Sequence, residues 1–250
     1  MTHDQSLAAL RHKYSRHEWT PISIGCSGDT VHRLEGPGNL YVKVSATGGQ
    51  LDAEADRLCW LGIAGLPVPE VVEYGTRDDY SWLVTTEVPG RSAAAAWPSD
   101  QREKVIDTLA DITQILHGLD IEDCPYDRSL AVTMPAAIRA SGQTGTSLQL
   151  LDSSYATIPH EEDLVVCHGD LCLPNVIINP TTSTVAGLID VGRLGRADRY
   201  ADLAVTSRSI ESTQNPQFGP EHSARYLARC GVQPIDTDRV TFYRLLDQYS

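Results

Sequence analysis

No segment of this chain approaches eighteen consecutive apolar residues, and its N-terminus has no long apolar signal core. The expectation is therefore a cytoplasmic protein with no membrane span. Basic residues are scarce, 20 Lys and Arg against 33 Asp and Glu, a formal net charge of −13. A nucleic-acid binder would need a basic footprint, so that class is set aside. An acidic surface suits a cationic small molecule, although acidity is mainly a matter of solubility. The six cysteines, at 26, 59, 124, 167, 172 and 230, form no C-x-x-C pair. They read as reduced thiols, not as a disulfide framework or a zinc site. There is no internal repeat, and no low-complexity tract beyond Ala93–Ala96. With 41% hydrophobic and 21% charged residues, 250 positions suffice for one large domain or two lobes with proper cores.

What is present centres on Val165–Arg193, VVCHGDLCLPNVIINPTTSTVAGLIDVGR. The short apolar run Val165-Val166 stops at His168-Gly169-Asp170. Asn175 follows five residues after Asp170 and opens the run Val176–Ile178. A turn at Asn179–Thr182 leads into Val185–Ile189, which ends on Asp190 and Gly192. Two acids and an amide thus sit at the ends of β-like segments, where a rigid frame can aim loop side chains. Phosphoryl transfer needs a base for the attacking hydroxyl and oxygen ligands for Mg²⁺ on the nucleotide phosphates. Asp170 is placed as the base, and Asn175 and Asp190 as hard oxygen donors. The kinase pattern H-R-D-x-x-x-x-N followed by a strand-borne metal Asp is matched, except that Gly169 stands for the arginine.

HGDLCLPN and GLIDVGRLGRADRYADLA resemble the signature of the aminoglycoside phosphotransferases, antibiotic-resistance kinases. LRHKYSRHEW, LDIEDCPYDRSL and FYRLLDQYS are similar to the 3′-phosphotransferase branch, and the likeness weakens between Ala131 and Glu162. The resemblance implies an α+β, protein-kinase-like two-lobed fold. An N-terminal antiparallel sheet plus helix would bind nucleotide, and a mostly helical C-terminal lobe would carry catalysis and the substrate.

Along the chain, a short helix is expected around Leu7–Tyr14, then strands at Pro21–Ile24, Thr30–Leu34 and Leu40–Ser45. The turn Gly25–Gly28 lacks G-x-G-x-x-G, as the resembling family does; Ser27 and nearby N–H groups are candidates to reach a phosphate. Alternation puts Lys43 opposite Val42 and Val44, where a kinase keeps its phosphate-binding lysine. Helical spacing over Leu51–Ala64 places Glu54 as its partner. Strands at Val68–Tyr74 and Ser81–Val88 flank a turn at Gly75–Asp79. Pro89-Gly90 then ends the strand pattern, giving lobes of 1–88 and 89–250. The resemblance assigns adenine contacts to the Thr86 carbonyl and the Val88 N–H.

In the second lobe, Ser99 or Asp100, with Glu103, reads as a helix cap. Val105, Leu109, Ile112, Leu116 and Leu119 form one apolar stripe, with His117 beside it in a structural role. Ser141–Ser147 is rich in small polar residues, and only Leu148–Leu151 reads as helical before the motif. Helices are expected at Asp198–Ile210, Pro220–Cys230 and Asp236–Tyr249, with Gly231 stopping the second and Asp198 and Asp202 bracing helix ends. In the resembling family acids hold the drug's ammonium groups. Asp247 keeps one such position, while Gln248 and Ser250 depart from the pattern. Ser212 and Thr213 take helix positions where some relatives carry acids, with Glu211 adjacent. Asp247, the Ser250 carboxylate, Arg193 and Glu211 are the candidate substrate contacts, with the flap acids Glu161–Asp163 in reserve.

The expected activity is ATP- or GTP-dependent, Mg²⁺-requiring phosphorylation of an aminoglycoside hydroxyl, the 3′-OH by resemblance, carried out by a monomer. A kinase for a streptomycin-like, nucleoside or peptide antibiotic, or for a small metabolite, is the alternative. A nucleotide-binding pseudokinase is disfavoured because Asp170, Asn175 and Asp190 are all present.

Overall fold

A computed structural model describes residues 3–22, 29–45, 50–77, 80–143, 158–232 and 234–249. They group into two compact units, 1–89 with 187–192 and 90–186 with 193–250. Ser27, Ser250 and the segment Leu148–Leu151 lie outside the described residues.

The first unit is built on a five-stranded antiparallel sheet of order β1-β2-β3-β5-β4. Its strands are β1 Glu18–Ile22, β2 Thr30–Glu35, β3 Leu40–Ser45, β4 Val71–Arg77 and β5 Tyr80–Thr86. Period-two alternation sorts the side chains of β3 and β5 onto two faces. Val42 and Val44 pair across the ladder with Val84 and Trp82, and Lys43 pairs with Leu83. Val42, Val44, Val84 and Leu34 pack with Leu7, Leu10 and Tyr14 behind helix α1, His3–Lys13. Helix α2, Gln50–Ile63, buries Leu51, Ala55, Leu58 and Leu61 at helical spacing and packs on β3, β4 and β5. The sheet differs from expectation at its edges. β1 begins at Glu18 instead of Pro21, because Glu18 to Pro21 already pair with Glu35 to His32. β4 runs through Gly75 to Arg77, so Gly75 lies in a ladder opposite Trp82 and not in a turn. There a side chain would meet the Trp82 ring, its Cβ 2.6 Å away, and glycine leaves that space to the indole.

In the second unit α3, Arg102–His117, buries Val105, Leu109, Ile112 and Leu116. Leu119 lies beyond Gly118, the C-cap, and is only half-buried. Neither Ser99 nor Asp100 caps this helix: Gln101 is the N-cap, in a helical conformation without a side-chain cap bond. A turn in which Gln101 N–H donates to Pro98 O (3.0 Å) runs straight into the helix. No extended cap residue remains to offer its side chain.

Helix α4, Leu130–Gln143, was not expected. Its interior Pro135 and the polar run after it hide the pattern. After β7, Leu164–Cys167, come β8, Val176–Ile178, and β9, Val185–Leu188; the last two join β6, Arg91–Ser92, in a three-stranded sheet. Strand β10, Gly195–Asp198, pairs antiparallel with β7, so Asp198 ends a strand and does not open a helix. Helices α5 Tyr200–Glu211, α6 Pro220–Arg229 and α7 Thr237–Leu246 complete the unit, α5 packing on both α6 and α7. Gly231, at φ +78°, follows α6 in the left-handed conformation that ends helices. Asp236 caps α7 by accepting from the Asp238 and Arg239 N–H groups. Ser212 and Thr213 stand past the end of α5: Ser212 is an extended C-cap, and Asn215 Nδ2 donates to Ser209 O at 2.8 Å.

Leu109 is fully buried between α3 and its neighbours. Leu109→Ala should cost about 2–5 kcal/mol through lost burial and the cavity left behind. The check is a lower urea midpoint with an unchanged denaturant slope.

Candidate active site

The sequence candidates fall into two sets, one in each unit. In the first, Lys43 leaves β3 on the face opposite Val42 and Val44. Its Nζ donates to Glu54 Oε2 on α2 at 2.9 Å and to Asp190 Oδ1 at 2.9 Å. A third carboxylate, Asp29, stands with Oδ2 3.7 Å from the same nitrogen. Burial alone would lower the Lys43 ammonium, but Glu54 and Asp190 outweigh it and hold its pKa above the ordinary lysine value. Glu54 is pushed up as well, by burial first, with Lys43 offsetting part and Asp190 and Asp29 adding to the rise. Lys43 thus rises through its two acid partners, and Glu54 mainly through burial.

Asp190 sits in the left-handed region at φ +58° with its side chain 45% exposed. Aspartate tolerates that region better than most residues, and such an outlier at a motif acid points to function. The same segment is anchored by Leu188 N–H donating to Pro67 O at 2.9 Å and by Gly187 lying against Val88. Thr86 closes β5, where its N–H donates to Glu70 O and its Oγ1 accepts from Glu70 N–H.

The second set is the loop after β7. Gly169, at φ +83°, packs so closely that a Cβ would lie 2.3 Å from Arg193 O. Only glycine fits, which accounts for its place where protein kinases carry arginine. Asp202, wholly buried on α5, accepts from His168 N–H (Oδ2, 2.9 Å) and Gly169 N–H (Oδ1, 2.9 Å). His117 Nε2 lies 3.2 Å from Asp202 Oδ2 and 3.9 Å from Cys167 Sγ. Burial alone would raise the Asp202 carboxyl, but the His117 contact and the Gly169 N–H outweigh it and hold it below the ordinary range. Asp202 therefore braces the loop and not a helix end, while Asp198, one residue before the Arg199 N-cap of α5, accepts from Tyr200 N–H at 2.9 Å.

Two more side chains of α5 hold this loop. Thr206 Oγ1 donates to Leu171 O at 2.6 Å, and Ser209 Oγ accepts from Leu173 N–H at 3.0 Å. Positions 202, 206 and 209 follow i, i+4, i+7, so one polar stripe of α5 carries all three braces. That spacing was available in the sequence and is the signal that would have found them. At the end of the loop, Asn175 Nδ2 donates to Asp170 O (2.9 Å) and Asp170 Oδ2 (3.1 Å), leaving the amide oxygen as a hard donor.

Arg193 donates to Asp247 Oδ1 at 3.0 Å, and Arg208 takes Oδ2. Asp247 is thus neutralised by two guanidinium groups. Arg193, Asp247, Gly169 and Tyr243 line one cavity of about 40 Å³. Glu211 is apart from it, paired with Arg244 at 3.2 Å. Of the flap acids, Glu162 accepts from Leu130 N–H at 2.9 Å, and Asp163 pairs with Arg199.

The profile of the phosphotransferase enzyme family matches residues 18–243. The chain belongs to this family. It is 43% identical to an aminoglycoside 3′-phosphotransferase of Streptomyces fradiae, over 97% of this chain and 98% of that one. The solved structure of an aminoglycoside-3′-phosphotransferase of type VIII superposes with a TM-score of 0.92 at 45% identity, covering 99% and 98% of the two chains. An aminoglycoside phosphotransferase from Streptomyces rimosus, in complex with ADP and streptomycin, gives a TM-score of 0.76 at 30% identity, covering 98% and 97%. The kinase-like α+β class expected from the sequence is the class of these phosphotransferases. Among the described residues no helix is long and apolar enough to cross a membrane. The described cysteines, 59, 124, 167, 172 and 230, are free thiols.

Because the Asp202 carboxyl is held low in the folded phosphotransferase, its stabilising effect is present above its unfolded pKa of about 3.9 and is lost as pH falls through the folded value. Asp202→Asn should cost about 3–5 kcal/mol near neutrality. The gap from wild type should narrow below about pH 4, and urea denaturation across pH checks it.

Proposed function

We propose that this phosphotransferase moves the γ-phosphoryl group of a nucleoside triphosphate to the 3′-hydroxyl of an aminoglycoside and so confers resistance to it. The observation that carries this reading is the Asp170 loop. Gly169 and the α5 stripe pin its backbone, and Asn175 holds the Asp170 carboxylate, in a chain 43% identical to a 3′-phosphotransferase.

Asp170 accepts the proton of the acceptor hydroxyl as that oxygen bonds to the γ-phosphorus and the bond to the bridging oxygen breaks. Lys43, oriented by Glu54, holds the α- and β-phosphates. ATP or GTP fits the unit of 1–89, with the Thr86 carbonyl and the Val88 N–H toward the base, in keeping with relatives solved with ADP. Asp190 in the one unit offers a half-exposed carboxylate and Asn175 in the other an amide oxygen, each by itself a hard donor suited to Mg²⁺. When bound, the cation supplies neutralisation of phosphate charge. Reduced thiols and nucleotide dependence fit a cytoplasmic enzyme.

A streptomycin-type acceptor is the second reading, favoured by the 30% identical relative solved with streptomycin. Turnover on kanamycin-type and streptomycin-type drugs, with the phosphorylated carbon assigned by NMR, separates the two. Asp170→Asn should retain nucleotide binding and the wild-type melting temperature while lowering kcat by about 10²–10⁴-fold. A variant keeping more than about a tenth of wild-type kcat would remove Asp170 from the role of base.

A further inference from the structure

Asp29 stands immediately before β2, its side chain only 14% exposed. Val31 faces Lys43 across the β2–β3 ladder. Asp29, two residues earlier, is therefore a diagonal neighbour on the face of Lys43. The resulting 3.7 Å approach to Nζ adds a third carboxylate around one ammonium. Two of the three have work in phosphoryl transfer: Glu54 orients the lysine, and Asp190 is a cation donor. Nothing in the reaction calls for Asp29.

We propose that Asp29 is a counter-ion that competes with nucleotide for Lys43, holding the lysine in the empty site and opposing the phosphates as they arrive. The proposal rests on the nucleotide site of the preceding section. An ammonium has three N–H donors, and Glu54 and Asp190 take two of them at 2.9 Å each. Among the described residues no hydrogen bond takes the third, and Asp29 Oδ2 stands 3.7 Å from that same nitrogen, where a phosphate oxygen would also approach. A phosphate bound there lies beside a part-buried like charge, where solvent screens poorly. Asp29 thus sets a lower affinity than Lys43 and Glu54 alone would give, and the penalty grows with the charge of the nucleotide.

The test is calorimetric titration of the full chain with AMP, ADP and ATP without divalent cation, where nucleotide charge rises from about −2 to about −4, for wild type, Asp29→Asn and Asp29→Glu. Asp29→Asn should tighten ATP roughly five- to ten-fold, ADP less and AMP least, because one repulsive charge pair is removed per approach. Asp29→Glu, which keeps the charge, should stay near wild type. If Asp29→Asn does not fold, Asp29→Ser carries the same expectation. ATP affinity unchanged or weakened in the neutral variant, beside a wild type that binds ATP, overturns the proposal alone. An equal gain for AMP and ATP overturns it too, since that is the mark of a general change in shape. A wild type that binds none of the three overturns both the proposal and the nucleotide site beneath it.

Discussion

Asp202 carries a charge with no access to water, and the loop bearing Asp170 is held by the way that charge is satisfied. A buried carboxylate without partners would take up a proton or unfold its surroundings. Here two consecutive N–H groups, of His168 and Gly169, and the ring of His117 converge on it. Consecutive peptide N–H groups point the same way only where the backbone turns sharply, and Gly169 at φ +83° supplies that turn. The carboxylate and the glycine are therefore one constraint: without the glycine the two N–H groups do not converge, and without the acid nothing holds them together. Thr206 and Ser209 extend the same hold to Leu171 and Leu173, so Asp170 is fixed on both sides by one rigid helix.

Each unit thus carries its motif acid beside a left-handed residue at a strand end. In the second unit the left-handed position is Gly169, one residue before Asp170. In the first it is Asp190 itself, past the end of β9. A β-branched or bulky side chain there would add strain to a turn that must also present a carboxylate, and aspartate meets both demands.

Much of this was legible in the sequence because it is periodic or local. Alternation in β3 placed Lys43 opposite Val42 and Val44, helical spacing in α2 placed Glu54, and Gly231 marked the end of α6. What could not be read depends on pairing over long separations. Gly195–Asp198 has no strand signature of its own and is a strand only because β7 lies beside it. Helix α4 defied its propensity at Pro135. The main segment of the compact unit containing Gly187–Gly192 ends at Pro89, about a hundred residues earlier in the chain, a grouping that no local pattern encodes. The arginine partners of Asp247 lie 54 and 39 residues away, so its pairing could not be read from the local sequence.

Local charge balance, not the overall −13, decides what each set of residues can accept. Around Asp247 two guanidinium groups meet one carboxylate, so a cationic ligand gains little there from that acid. Around Lys43 three carboxylates meet one ammonium. Bare triphosphate, itself strongly negative, is poorly matched to such surroundings. A triphosphate partly neutralised by a divalent cation fits better, since the cation turns nearby carboxylates from repulsive to attractive.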